Sequence, residues 1–183
     1  YADLSGVLKS NKIKFFQLRL KKISKSQIIK QILKISKITK RYKVKFIIND
    51  NPYLAKLPQV DGCHLGQTDM KLNLARKILK NKIIGITCHG SLKLSKVALS
   101  NNANYIALGS FHTSKLKPKA KRAEFKNLKK IRRLTSKSIV AIGGINNTNY
   151  KKVFRYGANY IALSTFIWNN PDLIPEEAIK EFK

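Results

Sequence analysis

Apolar positions along the chain follow two alternating periods. Short runs rich in β-branched and aromatic residues predict strands over Lys14–Arg19, Lys45–Asn49, Gly62–Gly66, Ile83–Cys88, Tyr105–Ser110, Ser138–Gly144 and Tyr160–Thr165. Between them, apolar residues recur three and four apart and predict helices. The clearest runs from about Ser26 to Lys40, with Ile28, Ile32 and Ile35 on one face and lysines elsewhere. Others cover Asp3–Lys9, Leu72–Leu79, Ser91–Ser100, Glu124–Leu134, Asn149–Phe154 and Pro175–Phe182. This alternation implies right-handed crossovers and a parallel sheet. Asn104–Leu108 and Asn159–Leu163 share one sequence, Asn-Tyr-Ile-Ala-Leu, and are expected to be equivalent strands. Seven strands permit an open doubly wound sheet, or a (β/α)8 barrel whose first strand precedes Tyr1. No linker or shift in composition divides the chain, so residues 1–183 are expected to form one domain.

Composition narrows the class. A hydrophobic content of 43% argues for a packed core rather than disorder. No apolar run approaches membrane-spanning length, no signal-peptide pattern opens the chain, and Cys63 and Cys88 have no metal-type spacing. The expectation is a cytoplasmic protein with reduced thiols and no membrane partner. Thirty-eight basic residues against nine acidic ones give a net charge of +29. The lysines are spread along the chain rather than gathered in a stripe, and they accompany abundant Asn and Ile, residues that A/T-rich codons supply. A nucleic-acid partner is therefore not expected, whereas the field would attract polyphosphate substrates.

The scarce acids concentrate the chemistry. Between Asp3 and Glu124 there are three, Asp50, Asp61 and Asp69. Asp50 follows one strand and Asp69 the next, so adjacent parallel strands would deliver both to the carboxyl-end rim where barrel active sites form. Magnesium typically takes one or two carboxylates and leaves its other positions to water and phosphate oxygens. The structural alternative has Asp50 ending its strand and Asp69 capping the helix near Leu72. Asp61 precedes its strand and reads as structural. Arg19 and Lys21 would project to the same side of an extended chain, cations suited to a diphosphate. Gly143-Gly144 and Ser164-Thr165 end the last two strands, where barrels often bind phosphate on exposed amides.

The motifs themselves resemble those of the thiamine phosphate synthases. Gln17-Leu18-Arg19-Leu20-Lys21 is similar to their QLRxK, Ile47–Asp50 to IIND, and Asp61–Asp69 to DGxHxGQxD. Ile83–His89 resembles IIGxSxH and Ala141–Ile145 resembles AIGGI, all in family order over nearly the whole chain. The resemblance implies a (β/α)8 TIM barrel and magnesium-dependent coupling of hydroxymethylpyrimidine diphosphate with a thiazole phosphate. Asp50 and Asp69 would hold magnesium, and Gln17, Arg19, Lys21 and Asn49 would meet the pyrimidine diphosphate. Thr87 takes the family's serine position near that substrate. Gly144, Ser164 and Thr165 would bind the thiazole phosphate. Arg19, Lys21 and Lys117 would stabilise the leaving diphosphate.

One motif departs. Ungapped counting puts Ser114, Lys115, Leu116 and Lys117 on the family's TxTK segment; Ser114 and Lys117 keep a hydroxyl and the cation, while Leu116 loses a hydroxyl. The rival readings are a thiazole tautomerase-like enzyme, whose proton-transfer histidine would be His89, and a non-catalytic basic barrel binding anions or nucleic acid. Cys63 and Cys88 are expected to be bystanders, His112 to face solvent, and Trp168 to serve packing. A barrel short of one strand exposes unpaired edges, which a homo-oligomer or another segment would cover.

Overall fold

The computed structural model describes residues 1–113 and 122–183. Helix α1 (Ala2–Lys9) leads into β1 (Phe15–Leu18), and strands and helices then alternate: α2 (Lys25–Arg41), β2 (Lys45–Asn49), α3 (Pro52–Ala55), β3 (Gly62–Leu65), α4 (Leu72–Leu79), β4 (Ile83–His89) and α5 (Leu92–Ser100). The second half runs β5 (Tyr105–Leu108), α6 (Phe125–Leu134), β6 (Ser138–Ile142), α7 (Tyr150–Arg155), β7 (Tyr160–Ala162), α8 (Thr165–Trp168) and α9 (Pro175–Lys180). The seven strands form one all-parallel sheet in sequential order, curled into a TIM-like half-barrel. The open-sheet alternative is excluded by that order, since a doubly wound sheet reverses direction at its middle. Curling brings the outer strands towards each other: the rings of Phe15 on β1 and Tyr160 on β7 meet edge to face at 5.7 Å. Among the described residues no helix is long and apolar enough to cross a membrane.

Strand alternation divides labour. Residues on the convex face, among them Phe46, Ile84, Ile106 and Ile139, are fully buried beneath the helices. There α2 contributes Ile32 and Ile35 as its apolar stripe requires. The helix begins at Lys25, one residue before the predicted start, because Ser24 and Gln27 form a capping box: Ser24 Oγ accepts from Gln27 N–H at 3.2 Å and Gln27 Oε1 accepts from Ser24 N–H at 2.9 Å. Both cysteines lie on this convex face, fully buried. Burial pushes each thiol up to about 12, which keeps them protonated and unreactive.

The amino ends of the strands carry a repeated clamp. Asn104, just before β5, donates its N–H to Ile84 O at 2.8 Å and accepts Ile84 N–H on Oδ1 at 2.8 Å. Asn159, just before β7, does the same to Ile139 at 2.8 and 2.9 Å. Asp61, before β3, brackets Phe46 of β2 with two bonds of 2.8 Å and pairs with Lys45 Nζ at 3.0 Å. A guanidinium braces each asparagine, Arg76 on Asn104 Oδ1 at 2.6 Å and Arg132 on Asn159 Oδ1 at 2.7 Å. The repeated pentapeptide thus marks equivalent strands, and Asp61 is structural. Beside this end, Lys82 Nζ sits in a cage of backbone carbonyls from Ala55, Lys56, Leu57 and Val60, at 2.6–3.3 Å.

Removing one clamp should strand a backbone donor. Asn104→Ala is expected to lower unfolding free energy by about 1–3 kcal/mol, the cost of an unsatisfied buried N–H, in urea titrations. Asn104→Asp, which keeps the acceptor for both Ile84 and Arg76, is expected to lose far less.

Candidate functional site

The opposite, carboxyl-end rim gathers the polar residues. The sheet's register sets Gln17 beside Ile47, Asn49 beside His64, and Thr87 beside Ala107. Gln17 Nε2 donates to Asn49 Oδ1 across β1 and β2. Beyond Asn49 the chain turns sharply: Asp50 adopts φ 63°, a left-handed conformation that aspartate and asparagine tolerate best among residues with a Cβ. Its N–H is held by His64 O at 2.8 Å, and Asn51 then caps α3 by accepting from Leu54 N–H at 3.1 Å. Asp69 does not cap α4, whose N-cap residue is Lys71. Instead its Oδ2 folds back to accept Gly66 N–H at 2.6 Å, closing the Gly66–Asp69 loop over β3.

These two turns bring the carboxylates of Asp50 and Asp69 within hydrogen-bonding reach of each other. Burial first, and then the neighbouring Asp69, hold the Asp50 carboxyl above its ordinary range; Arg19 and Asn49 pull the other way without prevailing. Strand β1 ends at Leu18, so Arg19 and Lys21 lie on the loop beyond it rather than in an extended run, yet both still line the same cleft. Thr87 lines its floor, and Gln67 Nε2 reaches over to donate to Thr87 O at 2.5 Å.

Across the mouth lies a second polar group. Gly143 (φ 91°) and Gly144 (φ 62°) pack against the segment 110–113, where a Cβ on Gly144 would come 2.3 Å from Thr113 O. His112 N–H donates to Gly143 O at 3.0 Å, and Asn149 Nδ2 donates to Gly144 O at 2.9 Å. Ser164 and Thr165 face the cavity at the start of the four-residue helix α8; β7 ends at Ala162, three residues short of the predicted strand end at Thr165. Ser114 and Lys117 lie outside the described residues. His112 corrects the expectation of a solvent-facing ring: it is half-buried, packed edge-on against Phe125, with Nε2 enclosed and without a hydrogen-bond partner among the described residues. Burial, then Lys152 and Arg122, lower its pKa. Trp168 meets Phe16 edge to face at 6.3 Å, a packing contact. His89 ends β4, exposed, at φ 53°.

Both groups open onto one continuous cavity of about 2580 Å³, well above the roughly 300–1,000 Å³ of ordinary ligand pockets. The excess arises because it extends past Tyr160 and Leu163 to the apolar faces of α1 and α9.

Residues 3–167 match the family model of thiamine monophosphate synthase. The chain belongs to this family. A thiamine-phosphate synthase of Pelagibacter ubique is 54% identical over 185 residues, covering 100% of this chain and 88% of that protein. One from Clostridium acetobutylicum is 35% identical, covering 89% and 77%. Among solved structures, a thiamine phosphate pyrophosphorylase from Pyrococcus furiosus superposes with a TM-score of 0.89 at 26% identity, covering 99% of this chain and 86% of its own. The synthase motifs map onto the rim described above, where four strand ends contribute Gln17, Asn49, Asp50, Asp69 and Thr87. The family pattern did not disclose the hydrogen-bonded partners beneath that rim, His64 and Tyr105, because a buried histidine inside a motif reads as packing.

The crowded carboxylates have a consequence for stability. A raised acid pKa means the folded state holds its proton more tightly than the unfolded chain, so stability falls as pH rises from about 4 through the folded value. Asp50→Asn, which tolerates the same left-handed backbone, is therefore expected to keep or raise the melting temperature near neutral pH without divalent cation. Calorimetry at pH 4 and pH 7 should show that gain at the higher pH.

Proposed function

We propose the following chemistry for the thiamine-phosphate synthase activity, a transferase reaction, that family membership gives this chain. Hydroxymethylpyrimidine diphosphate binds over β1 to β4, and a thiazole phosphate binds across the mouth. The observation that carries this reading is the juxtaposition of Asp50 and Asp69 at adjacent strand ends, with Arg19 and Lys21 lining the same cleft. Two carboxylates without a third histidine, cysteine or acidic neighbour, among the described residues, suit magnesium, which keeps water and phosphate oxygens as its remaining ligands. Burial raises Asp50 most, and the crowding by Asp69 that adds to it is what a divalent cation would relieve. Bound there, magnesium would supply charge neutralisation for a leaving diphosphate.

The remaining work belongs to the chain. Arg19 and Lys21, with Lys117 from the loop outside the described residues, stabilise negative charge as the bond from the pyrimidinylmethyl carbon to the diphosphate oxygen breaks. Gln17, tied to Asn49, holds the pyrimidine side, and Thr87 contacts it from the floor. Gly144, Ser164 and Thr165, joined by Ser114, hold the thiazole phosphate on glycine-permitted amides and hydroxyls. The thiazole nitrogen is thereby set at the angle and distance needed to capture the carbon. No protein nucleophile is required, consistent with two buried, protonated thiols.

The same reading makes residues 1–183 one barrel domain, closed by an eighth parallel strand between β7 and β1. Supporting this, β1 and β7 are the outer strands of the sheet, and the cavity continues between them onto apolar side chains such as Leu4, Val7 and Ile179. A strand there would satisfy both edges and cover that apolar lining.

Pyrophosphate release, measured with both substrates and magnesium, is the test. Release should match thiamine phosphate formed, and Asp50→Ala or Asp69→Ala should each lower kcat/KM by at least about a hundredfold. Coupling that survives both changes, or no turnover together with tight salt-sensitive RNA binding, would refute the assignment.

A further inference from the structure

Beneath the cleft, side chains of β3, β4 and β5 form a hydrogen-bonded chain. Tyr105 Oη lies 2.9 Å from His64 Nδ1, and His64 Nε2 lies 2.8 Å from Thr87 Oγ1. The imidazole and phenol rings stack, with centroids 5.6 Å apart and planes at 24°. Space for the phenol is provided by Gly85, where a Cβ would fall 1.9 Å from Tyr105 Cζ. Phe15 covers the phenol from across the barrel at 6.0 Å. What remains of the tyrosine surface faces the cavity.

The geometry assigns a direction to this chain. His64 is buried, 8% exposed, with a phenol and a hydroxyl as the partners of its two ring nitrogens. A neutral ring donates from one nitrogen and accepts at the other. If Nδ1 carried the proton, Tyr105 Oη would accept it, and the phenol's own proton would have no acceptor among the described residues. An unmade bond in such a place costs roughly 1–3 kcal/mol. With the proton on Nε2, the phenol donates to Nδ1 and Nε2–H donates to Thr87 Oγ1. The one hydroxyl proton left over is then that of Thr87, on the cleft floor where the substrate supplies an acceptor, rather than that of the phenol covered by Phe15. Thr87, already accepting, keeps its hydroxyl proton for a partner in the cavity that it lines.

We infer that Tyr105 and His64 are positioning residues that fix Thr87 as a hydrogen-bond donor toward an acceptor atom of the pyrimidine diphosphate. They act through Thr87 and touch no substrate. The inference rests on the proposed placement of that substrate over Thr87. It also explains why a hydroxyl must stand at position 87 and why position 85 bears no side chain.

Two measurements test it. Nitrogen NMR of the unaltered chain with labelled histidine should show His64 as the Nε2–H tautomer, and an Nδ1–H tautomer would overturn the inference whatever turnover does. In kinetics, Tyr105→Phe should leave KM for the diphosphate nearly unchanged and lower kcat about tenfold, the effect of one misdirected hydrogen bond. Thr87→Val should lose at least as much, and Thr87→Ser should recover most of it. The decisive comparison is the double variant: Tyr105→Phe added to Thr87→Val should cost nothing further. Losses that multiply would mean Tyr105 acts independently of Thr87, and the inference fails. Absence of pyrophosphate release by the unaltered chain is a separable result, which sinks the substrate placement rather than the polarity of the chain. Should Tyr105→Phe fail to fold, the tautomer measurement still decides.

Discussion

Register between parallel strands is the constraint on which the rest of this molecule depends. Three residues, Asp61, Asn104 and Asn159, each grip both backbone groups of one residue on the preceding strand, the carbonyl with their own N–H and the N–H with their side-chain oxygen. A slip of one residue would exchange the concave and convex faces, sending Asn49, His64 and Thr87 under the helices and Phe46 and Ile84 into the cavity. The clamps sit at the amino ends, where they cannot interfere with chemistry, while their effect is felt at the carboxyl ends. With β2 and β3 locked, Asp50 N–H meets His64 O, and the tight turn that follows aims one carboxylate at the loop that Asp69 closes.

The electrostatics of the rim follow from that placement. The chain holds nine acidic residues among 38 basic ones, yet two of the nine are pressed together, and burial and this crowding resist ionisation of Asp50. Such crowding is unfavourable in the isolated fold and becomes favourable when positive charge arrives between the carboxylates. Arg19 already offsets part of it. The floor is opposite in character: His64 is kept neutral by burial, so the charged rim rests on an uncharged hydrogen-bonded layer.

Much of this was legible in the sequence. The seven strands were found because β-branched runs end in Gly, Asn, Ser or Thr, and Leu72–Leu79 was placed correctly by its periodicity. The pairing of Asp50 with Asp69 followed from two acids at consecutive strand ends. The misses have physical reasons. Helices α3 and α8 are four residues each, too short for a periodic signal, and α8 continues without a break from strand-like residues. Capping of α4, the structural alternative for Asp69, is not realised: its carboxylate satisfies Gly66 N–H instead, a choice of loop geometry that spacing does not encode. His112 looked polar and exposed, but packing against Phe125 encloses it. The Tyr105–His64–Thr87 chain joins three strands distant in sequence, and only the register brings it together.

The claim that Asp50 and Asp69 form half of a cation site completed by diphosphate can be measured without turnover. Calorimetric titration of magnesium into the chain, with and without pyrophosphate, isolates it. The expected result is weak binding to the chain alone, strong binding once pyrophosphate is present, and loss of that enhancement in both Asp50→Asn and Asp69→Asn. Equal magnesium affinity with and without pyrophosphate, or an enhancement that persists in both variants, would contradict it.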